Sequence, residues 1–518
     1  MDPIEFGVFN SRIAAICAEM GAVLRGAAFS PNIKDRLDFS CAIFDAQGDL
    51  CAQAAHIPVH LGSMAYAMRD IVKKLSWQAG DVIVVNDPFL GGTHLPDVTL
   101  ISPVFAGKHS TLVGFVANRA HHANIGATSP GSMPLSDSLE QEGLVIPPTF
   151  IVRADQLDEK FLRDFTLATG GENSTSGDFI AQMSANRAGV NRLQTLVNPM
   201  GIESYFHALR ELNNYGEKIA QITLAQIPAG CYDFEDYLDD DGKSSEPIKI
   251  HILLKISNGK VVCDFSQSSS QVRGNLNCPL SVAAAAVYYV FRCLMPDYTP
   301  ACAGVFKHIE LIAPLGSLLN AQRPAAVAAG NVETSTRIVD VVLGALAKAI
   351  PNLIPAASHG SMNNIAMGVS NVGGQRPWDY YETIGGGMGA HIDGDGLNGV
   401  QTHMTNTLNT PIESLEMHYP LRIRRYAIRE HSGGLGEHVG GCGLIREFEF
   451  LSPAQVTLLT ERRKFSPWGL HGGEDGKKGA NYLNGKLLPG KVELATVCGD
   501  ILCIETSGGG GWGEISDQ

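Results

Sequence analysis

The residues best placed to do chemistry are in Gly91-Gly92-Thr93-His94-Leu95-Pro96-Asp97 and Arg119-Ala120-His121-His122-Ala123-Asn124. His94, Asp97, His121 and His122 place three imidazoles and a carboxylate within about thirty residues. Neutral imidazole with carboxylate suits zinc, manganese or iron(II). Any one histidine among the sixteen in the chain is more often a surface or core residue than a ligand, but clustered ligand types shift the balance toward a metal centre. Pro96 and the flanking glycines make Thr93–Asp97 a turn rather than a helix, and Gly91 and Gly92 let the backbone bend so that the side chains face inward. Asp38, set between apolar neighbours in Arg36-Leu37-Asp38-Phe39-Ser40, is a further candidate ligand, because a carboxylate in such a run must be paired or bound. His60 could line the same cleft, whereas His56 reads as a satisfied loop histidine. Glu413 and Glu416 open a short helix where acids complement the dipole. Contact with substrate is the sharper reading of Glu413.

Strand-like runs must position these groups. Val82–Val85 precedes the first segment, Val98–Val104 follows it, and Leu112–Val116 leads into the histidine pair, so three strand ends converge. Upstream, apolar positions at Ile13, Ile16, Met20 and Leu24 predict an amphipathic helix over residues 6–27. A hairpin follows, with strands at Leu37–Phe44 and Asp49–Ala52, its cysteines Cys41 and Cys51 packing in the core, and then a helix over 61–75. Gly131–Pro148 is a polar, proline-bearing loop near the site, and helices cover Phe179–Leu196 and Ile202–Ile227. Ser257-Asn258-Gly259 signals a hairpin between Ile248–Ile256 and Lys260–Phe265. Buried helices are expected at Pro279–Phe291 and Ser335–Ala349. Strands are expected at Leu421–Arg429, Leu444–Phe450, Val456–Glu461 and Ile501–Glu505. The fold class that follows is α+β or mixed α/β, a large multi-layer body with mixed sheets and a β-rich C-terminal region. Boundaries near 230 and 350 divide it into a metal-site-bearing α/β region (1–230), a mixed α/β region with buried helices (231–350) and a glycine-rich, β-rich region (351–518).

Composition narrows the function classes. With 44% hydrophobic and 18% charged residues the 518-residue chain is an ordinary globular protein. A formal charge of −14 without a basic stripe argues against nucleic-acid binding. No apolar run is read as membrane-spanning, the N-terminal residues lack signal-peptide features, and eleven scattered cysteines without Cys-x-x-Cys spacing fit a reduced, cytoplasmic protein. The 57 glycines cluster at 385–387, 433–434, 440–441 and 508–511, marking tight backbone passages rather than linkers. Asp239-Asp240-Asp241-Gly242 reads as a solvated turn. A Walker A loop needs glycine five residues before Gly-Lys, where this chain has Tyr237 and His471. There is likewise no EF-hand loop and no Gly-x-Ser-x-Gly elbow.

With these residues in view, the chain resembles the hydantoinase B (N-methylhydantoinase B) family, which includes the C-terminal half of 5-oxoprolinases and acetone-carboxylase-alpha-like chains. The resemblance runs essentially end to end. It is carried by Arg36–Ala42, Ile57–Gly62, Asn86–Phe89 into Gly91–Asp97, Asn118–His122, Gly330–Ser335 and Glu382–Gly387, then by His403–Thr407 with Thr410–Glu413, and by Ser507–Gly513. It implies an ATP-dependent hydrolase acting on cyclic amide C–N bonds, in which a hydantoinase A-type partner binds ATP and phosphorylates the carbonyl oxygen of a lactam or hydantoin. The B-type chain then opens the ring at a divalent metal, and the two form a hetero-oligomer. By the same resemblance the metal is held by residues matching His94, Asp97 and the His121-His122 pair, with Asp38 as an additional acidic position. Glu413 or an unligated histidine would move the proton. Ketone carboxylation is the rival reaction on this scaffold, and a non-catalytic scaffold for the ATP-binding subunit is the rival role.

Overall fold

The computed structural model describes residues 1–54, 56–169, 173–369 and 377–515. Its first sheet has seven strands in the order β2-β1-β5-β4-β3-β6-β7. These are β1 (Phe39–Asp45), β2 (Leu50–Gln53), β3 (Val82–Val85), β4 (Asp97–Ala106), β5 (Thr111–His121), β6 (Thr149–Arg153) and β7 (Gln156–Leu157). Every pairing in it is antiparallel. Its central strands are buried on both faces and therefore read as continuous apolar runs rather than alternating ones. One face packs on α1 (Pro3–Ala27), which the short α2 (Pro31–Lys34) follows. The other face packs on α3 (Pro58–Lys73). The α1 helix begins with a capping box between Asp2 and Glu5, which satisfies its first free amides. It is long and apolar enough by length and composition to cross a bilayer, contrary to the sequence expectation. Its buried stripe, from Phe9 to Leu24, packs in the core instead. After α4 (Glu159–Ala168), the long helices α5 (Asn173–Met200) and α6 (Ile202–Ala225) complete this half.

The second sheet, ordered β11-β10-β9-β8, contains β8 (Gly230–Leu238), β9 (Ile248–Ser257), β10 (Lys260–Asp264) and β11 (Ile309–Ile312). Asn258 (φ 49°) and Gly259 (φ 72°) both adopt left-handed backbone in the β9–β10 turn, as a two-residue hairpin turn demands. Two almost wholly buried helices pack against this sheet, α7 (Leu280–Cys293) and α8 (Ser335–Ala349). Their core also takes in Ile57 and Val59 from upstream and Met362, Met404 and Leu459 from downstream, so it joins segments from all three expected regions.

Beyond α8, β12 (Asn364–Val369), β13 (Trp378–Glu382), β16 (Ala454–Leu459) and β19 (Lys491–Thr496) form a four-stranded sheet. It packs through one apolar core on a five-stranded sheet of β14 (Leu421–Arg429), β15 (Gly443–Phe450), β17 (Ala480–Leu483), β18 (Lys486–Leu488) and β20 (Ile501–Glu505). The last helix, α9 (Ile412–His418), leads into β14. The glycine clusters pass backbone against backbone beside these sheets: a Cβ on Gly433 would lie 1.7 Å from the Gly440 carbonyl oxygen.

The acidic turn departs from expectation. Asp239 and Asp241 are buried, not solvated. Asp239 accepts the backbone N–H groups of Arg463, Lys464 and Phe465, and Asp241 those of Lys243, Ser244 and Gly274. Carboxylates engaged by several amides are satisfied without water.

Candidate metal centre

Register brings the site together. In the order β1-β5-β4, Asp97 at the start of β4 pairs with His121 at the end of β5. The His121 amide also donates to the Asp38 carbonyl just before β1. Asp38, His121 and Asp97 therefore stand abreast at one end of the sheet. Leu37, at φ 57°, holds the left-handed conformation beside Asp38, an uncommon state for a branched residue and one that accumulates at functional sites. His94 arrives from the turn before β4. Gly91 there has φ 112°, and a Cβ on Gly92 would lie 2.3 Å from the Asn86 carbonyl oxygen, so both positions require glycine, as expected.

Asp97 is the hub. Its Oδ1 lies 3.3 Å from His94 Nε2 and 3.3 Å from His121 Nδ1. Its Oδ2 accepts from Thr93 Oγ1 at 2.6 Å and Asn331 Nδ2 at 3.3 Å, and stands 3.1 Å from His60 Nε2. Burial alone would push its carboxyl up. The neighbouring imidazoles of His60, His94 and His121 instead hold it well below the usual carboxylate range. For His94 burial pulls downward, but the Asp97 carboxylate outweighs it and raises the imidazole. For His121 burial prevails and the imidazole is lowered. Asp38 is 3.9 Å from each of Arg36, His60 and His121 and lines the same cavity.

The donor set fits a divalent cation. Ligand atoms of His94, Asp97 and His121 lie within 4.8 Å of one another, the sole such group among the described residues. His94 Nε2, Asp97 Oδ1 and His121 Nε2 are buried without a hydrogen-bond partner, which is costly unless something binds them. His94 Nδ1 faces the Ala328 carbonyl at 3.1 Å and must donate to it. In the neutral ring that fixes the tautomer, with the Nε2 lone pair toward Asp97. His121 stacks on Tyr381, with centroids 4.6 Å apart and planes at 7°.

The structure separates the other candidates from this group. His122 follows His121 in extended chain and so faces the opposite side. Its Nε2 is 2.9 Å from Gln182 Oε1 and its ring packs on Phe179 of α5. Glu413 is exposed on α9 and does not line the cavity. His56 accepts the Cys41 amide, as a satisfied loop histidine should. His60, in the first turn of α3, is the residue the sequence underweighted: it is buried and reaches both carboxylates. Tyr381 had no local signal and Asn331 stood only within the Gly330–Ser335 motif of the resemblance, since β13 and the turn before α8 reach the site only through tertiary packing.

The cavity has a volume of about 20 Å³, room for about one water. Ile57, Val59, Val332, Met362 and Met404 form its apolar wall, and Thr383, Thr405 and Thr407 add hydroxyls.

Behind Tyr381 lies Glu333. The Tyr381 hydroxyl donates to Asn364 Oδ1 at 2.6 Å, and Asn364 Nδ2 donates to Glu333 Oε1 at 2.7 Å. Burial first, then Glu461, push the Glu333 carboxyl up to about 8, against Ser361 and Lys491. The folded state thus keeps a proton that the unfolded chain releases near 4.5, and the associated stability is lost as pH rises toward 8. Glu142, raised to about 7 by burial, acts with the same sign. His56, lowered to about 4, and His359, lowered to about 3, act with the opposite sign, but only below about 6.5. Urea midpoints are therefore expected to fall between pH 7 and 8, and Glu333→Gln is expected to flatten that fall. An unchanged slope in the variant would remove Glu333 as its source.

The hydantoinase B/oxoprolinase family model matches residues 2–515. An uncharacterised protein of Methanocaldococcus jannaschii is 41% identical over 523 residues, covering 99% of this chain and 91% of its own. The 5-oxoprolinase 1 of Arabidopsis thaliana is 38% identical over 550 residues, covering 99% of this chain and 42% of its own. This chain thus spans about two fifths of the length of the 5-oxoprolinases it matches. A Pseudomonas protein assigned provisionally as the B-type component of a D-/L-hydantoinase is 30% identical, covering 93% of this chain and 83% of its own. Among solved structures, the ATP-dependent caprolactamase from Pseudomonas jessenii superposes with a TM-score of 0.91 at 25% identity, covering 99% of this chain and 91% of its own. Acetone carboxylase, at TM-score 0.88 and 18% identity over 99% of this chain and 76% of its own, shares the fold.

Proposed function

Because this chain belongs to the hydantoinase B/oxoprolinase family, we propose that it is the catalytic B-type component of an ATP-dependent cyclic amidase. It acts with a hydantoinase A-type partner that binds ATP and phosphorylates the carbonyl oxygen of a lactam or hydantoin. One observation carries the reading: His94, Asp97 and His121, with Asp38 and His60 beside them, converge in a buried cavity. The names of the relatives, 5-oxoprolinases and a hydantoinase component among them, support cyclic amides as the substrate class.

His94, Asp97 and His121 would hold a divalent ion, zinc, manganese or iron, with Asp38 facing the same space. Such an ion supplies a Lewis acid that lowers the pKa of water and polarises the activated carbon. The chain's own groups do the rest. Asp97 orients the histidines and balances charge. His60, with Nε2 on Asp97 and Nδ1 3.4 Å from Ser40 Oγ, lines the cavity and can carry a proton from the attacking water to the departing ring nitrogen. The acyl phosphate left by C–N cleavage then releases inorganic phosphate to a second water. The apolar wall keeps bulk water from the phosphorylated carbonyl, which would otherwise hydrolyse unproductively. Admitting a ring requires that wall to part.

The test is reconstitution with the A-type partner. Ring opening of hydantoin or 5-oxoproline should require ATP, both chains and a chelator-sensitive metal. Ring opening by the A-type partner alone, or full activity after metal removal, would defeat the proposal.

A further inference from the structure

We propose that Glu142 is a positioning residue for His94, acting through the backbone strap Pro324–Gly330; the inference rests on the metal reading above. Glu142 ends the short helical turn Leu139–Glu142, within the loop expected to lie near the site, and is fully buried. Its Oε1 accepts the Val327 and Ala328 amides, each at 2.9 Å, and the Ser136 hydroxyl at 2.7 Å. The rest of the strap is tied just as closely. The Leu139 amide donates to the Pro324 carbonyl, Asn277 Nδ2 donates to the Ala326 carbonyl, and the Ala329 and Gly330 amides donate to the Asn275 carbonyl. The Ala328 carbonyl accepts His94 Nδ1–H, which leaves the Nε2 lone pair toward Asp97.

The loop thus sets one imidazole's tautomer and direction at two removes. A peptide strap without side-chain polarity (Ala325-Ala326-Val327-Ala328-Ala329) has no side-chain means of its own to fix where its carbonyls point. Asn275 and Asn277 hold its flanks, and the Glu142 carboxylate holds the Val327 and Ala328 amides next to the carbonyl that His94 uses. Outer partners of this kind typically alter metal affinity by about 10–100-fold when removed. The function depends on reach: an acceptor oxygen must sit between two amides. Glu142→Gln preserves that oxygen, whereas Glu142→Asp keeps the charge but withdraws it by one methylene.

The experiment titrates the full chain with cobalt(II) against a chromophoric chelator, and records the exchangeable imidazole N–H resonances of the cobalt-loaded protein. Glu142→Gln is expected to stay within about threefold of wild type. Glu142→Asp is expected to lose about 10–100-fold in affinity and to broaden the His94 N–H resonance, identified by its loss in His94→Ala. Wild-type affinity and spectrum in Glu142→Asp would overturn the positioning role and leave the metal site standing. Equal losses in both variants, tracking their thermal stability without cobalt, would reduce Glu142 to a structural group. No cobalt uptake by wild type would remove the metal reading itself.

Discussion

On the proposed metal reading, the wild-type chain purified without chelators is expected to hold about one divalent ion and Asp97→Asn only background metal. The substitution keeps shape and removes charge. Asp97 alone touches every histidine of the cluster, with Oδ1 at 3.3 Å from both His94 and His121 and Oδ2 at 3.1 Å from His60. On the proposed ligand set an inner ligand and the site's nearest anion are lost together, so the affinity change should exceed the ~10–100-fold typical of an outer partner. In the reconstituted amidase, loss of Lewis-acid stabilisation worth several kcal/mol should lower turnover by at least about 10³-fold. His122→Asn is the companion measurement. It should retain metal, while leaving Gln182 short of a partner at a stability cost of about 1–3 kcal/mol. Stoichiometric, tight metal in Asp97→Asn, or metal loss in His122→Asn, would mean that the ion binds on the other face of the sheet.

Arg462→Met is expected to destabilise the chain by about 3–5 kcal/mol in urea unfolding, without changing metal content. Arg462 is fully buried, and its Nη2 bonds Asp340 Oδ2 at 2.5 Å and Asp236 Oδ2 at 3.0 Å. Burial disfavours its charge, but the two carboxylates outweigh that and hold the guanidinium above its ordinary value. Three segments meet here: β8 through Asp236, α8 through Arg337 and Asp340, and the loop after β16 through Glu461 and Arg462. Removing one cation leaves two buried carboxylates to Arg337, whose nearest approaches to them are 3.5 Å. Adding Asp340→Asn should recover part of the loss, because it removes one stranded charge. A loss below about 1 kcal/mol for Arg462→Met would show that water or rearrangement satisfies the acids, not the guanidinium.

Much of the fold was legible because it obeys local rules. The strand Val82–Val85, the helix Ser335–Ala349 and the strands Leu421–Arg429 and Ile501–Glu505 lie where periodicity places them. Other elements extend further: the run Leu112–Val116 continues to His121, and that extension puts His121 level with Asp97. Strand β8 alternates (Tyr232-Asp233-Phe234-Glu235) and was open to reading, whereas β12 and β13 carried too little alternation to stand out, yet β13 brings Tyr381 to the site. The acidic turn at 239–241 misled for a related reason, since composition reports charge and says nothing of amides arriving from residues 463–465.

By itself the sequence determined the clustered imidazoles and carboxylates, the glycines that let His94 turn inward, the family resemblance and most of the elements. These depend on nearest neighbours in the chain, where side-chain chemistry and backbone sterics act over a few residues. Tertiary structure alone turned His121 toward Asp97 and His122 toward Gln182, brought His60 against Asp97, left Glu413 in solvent and set Glu142 behind His94. Each of those outcomes depends on strand register and on packing between segments tens to hundreds of residues apart, and a one-residue slip in register would have exchanged the faces of His121 and His122.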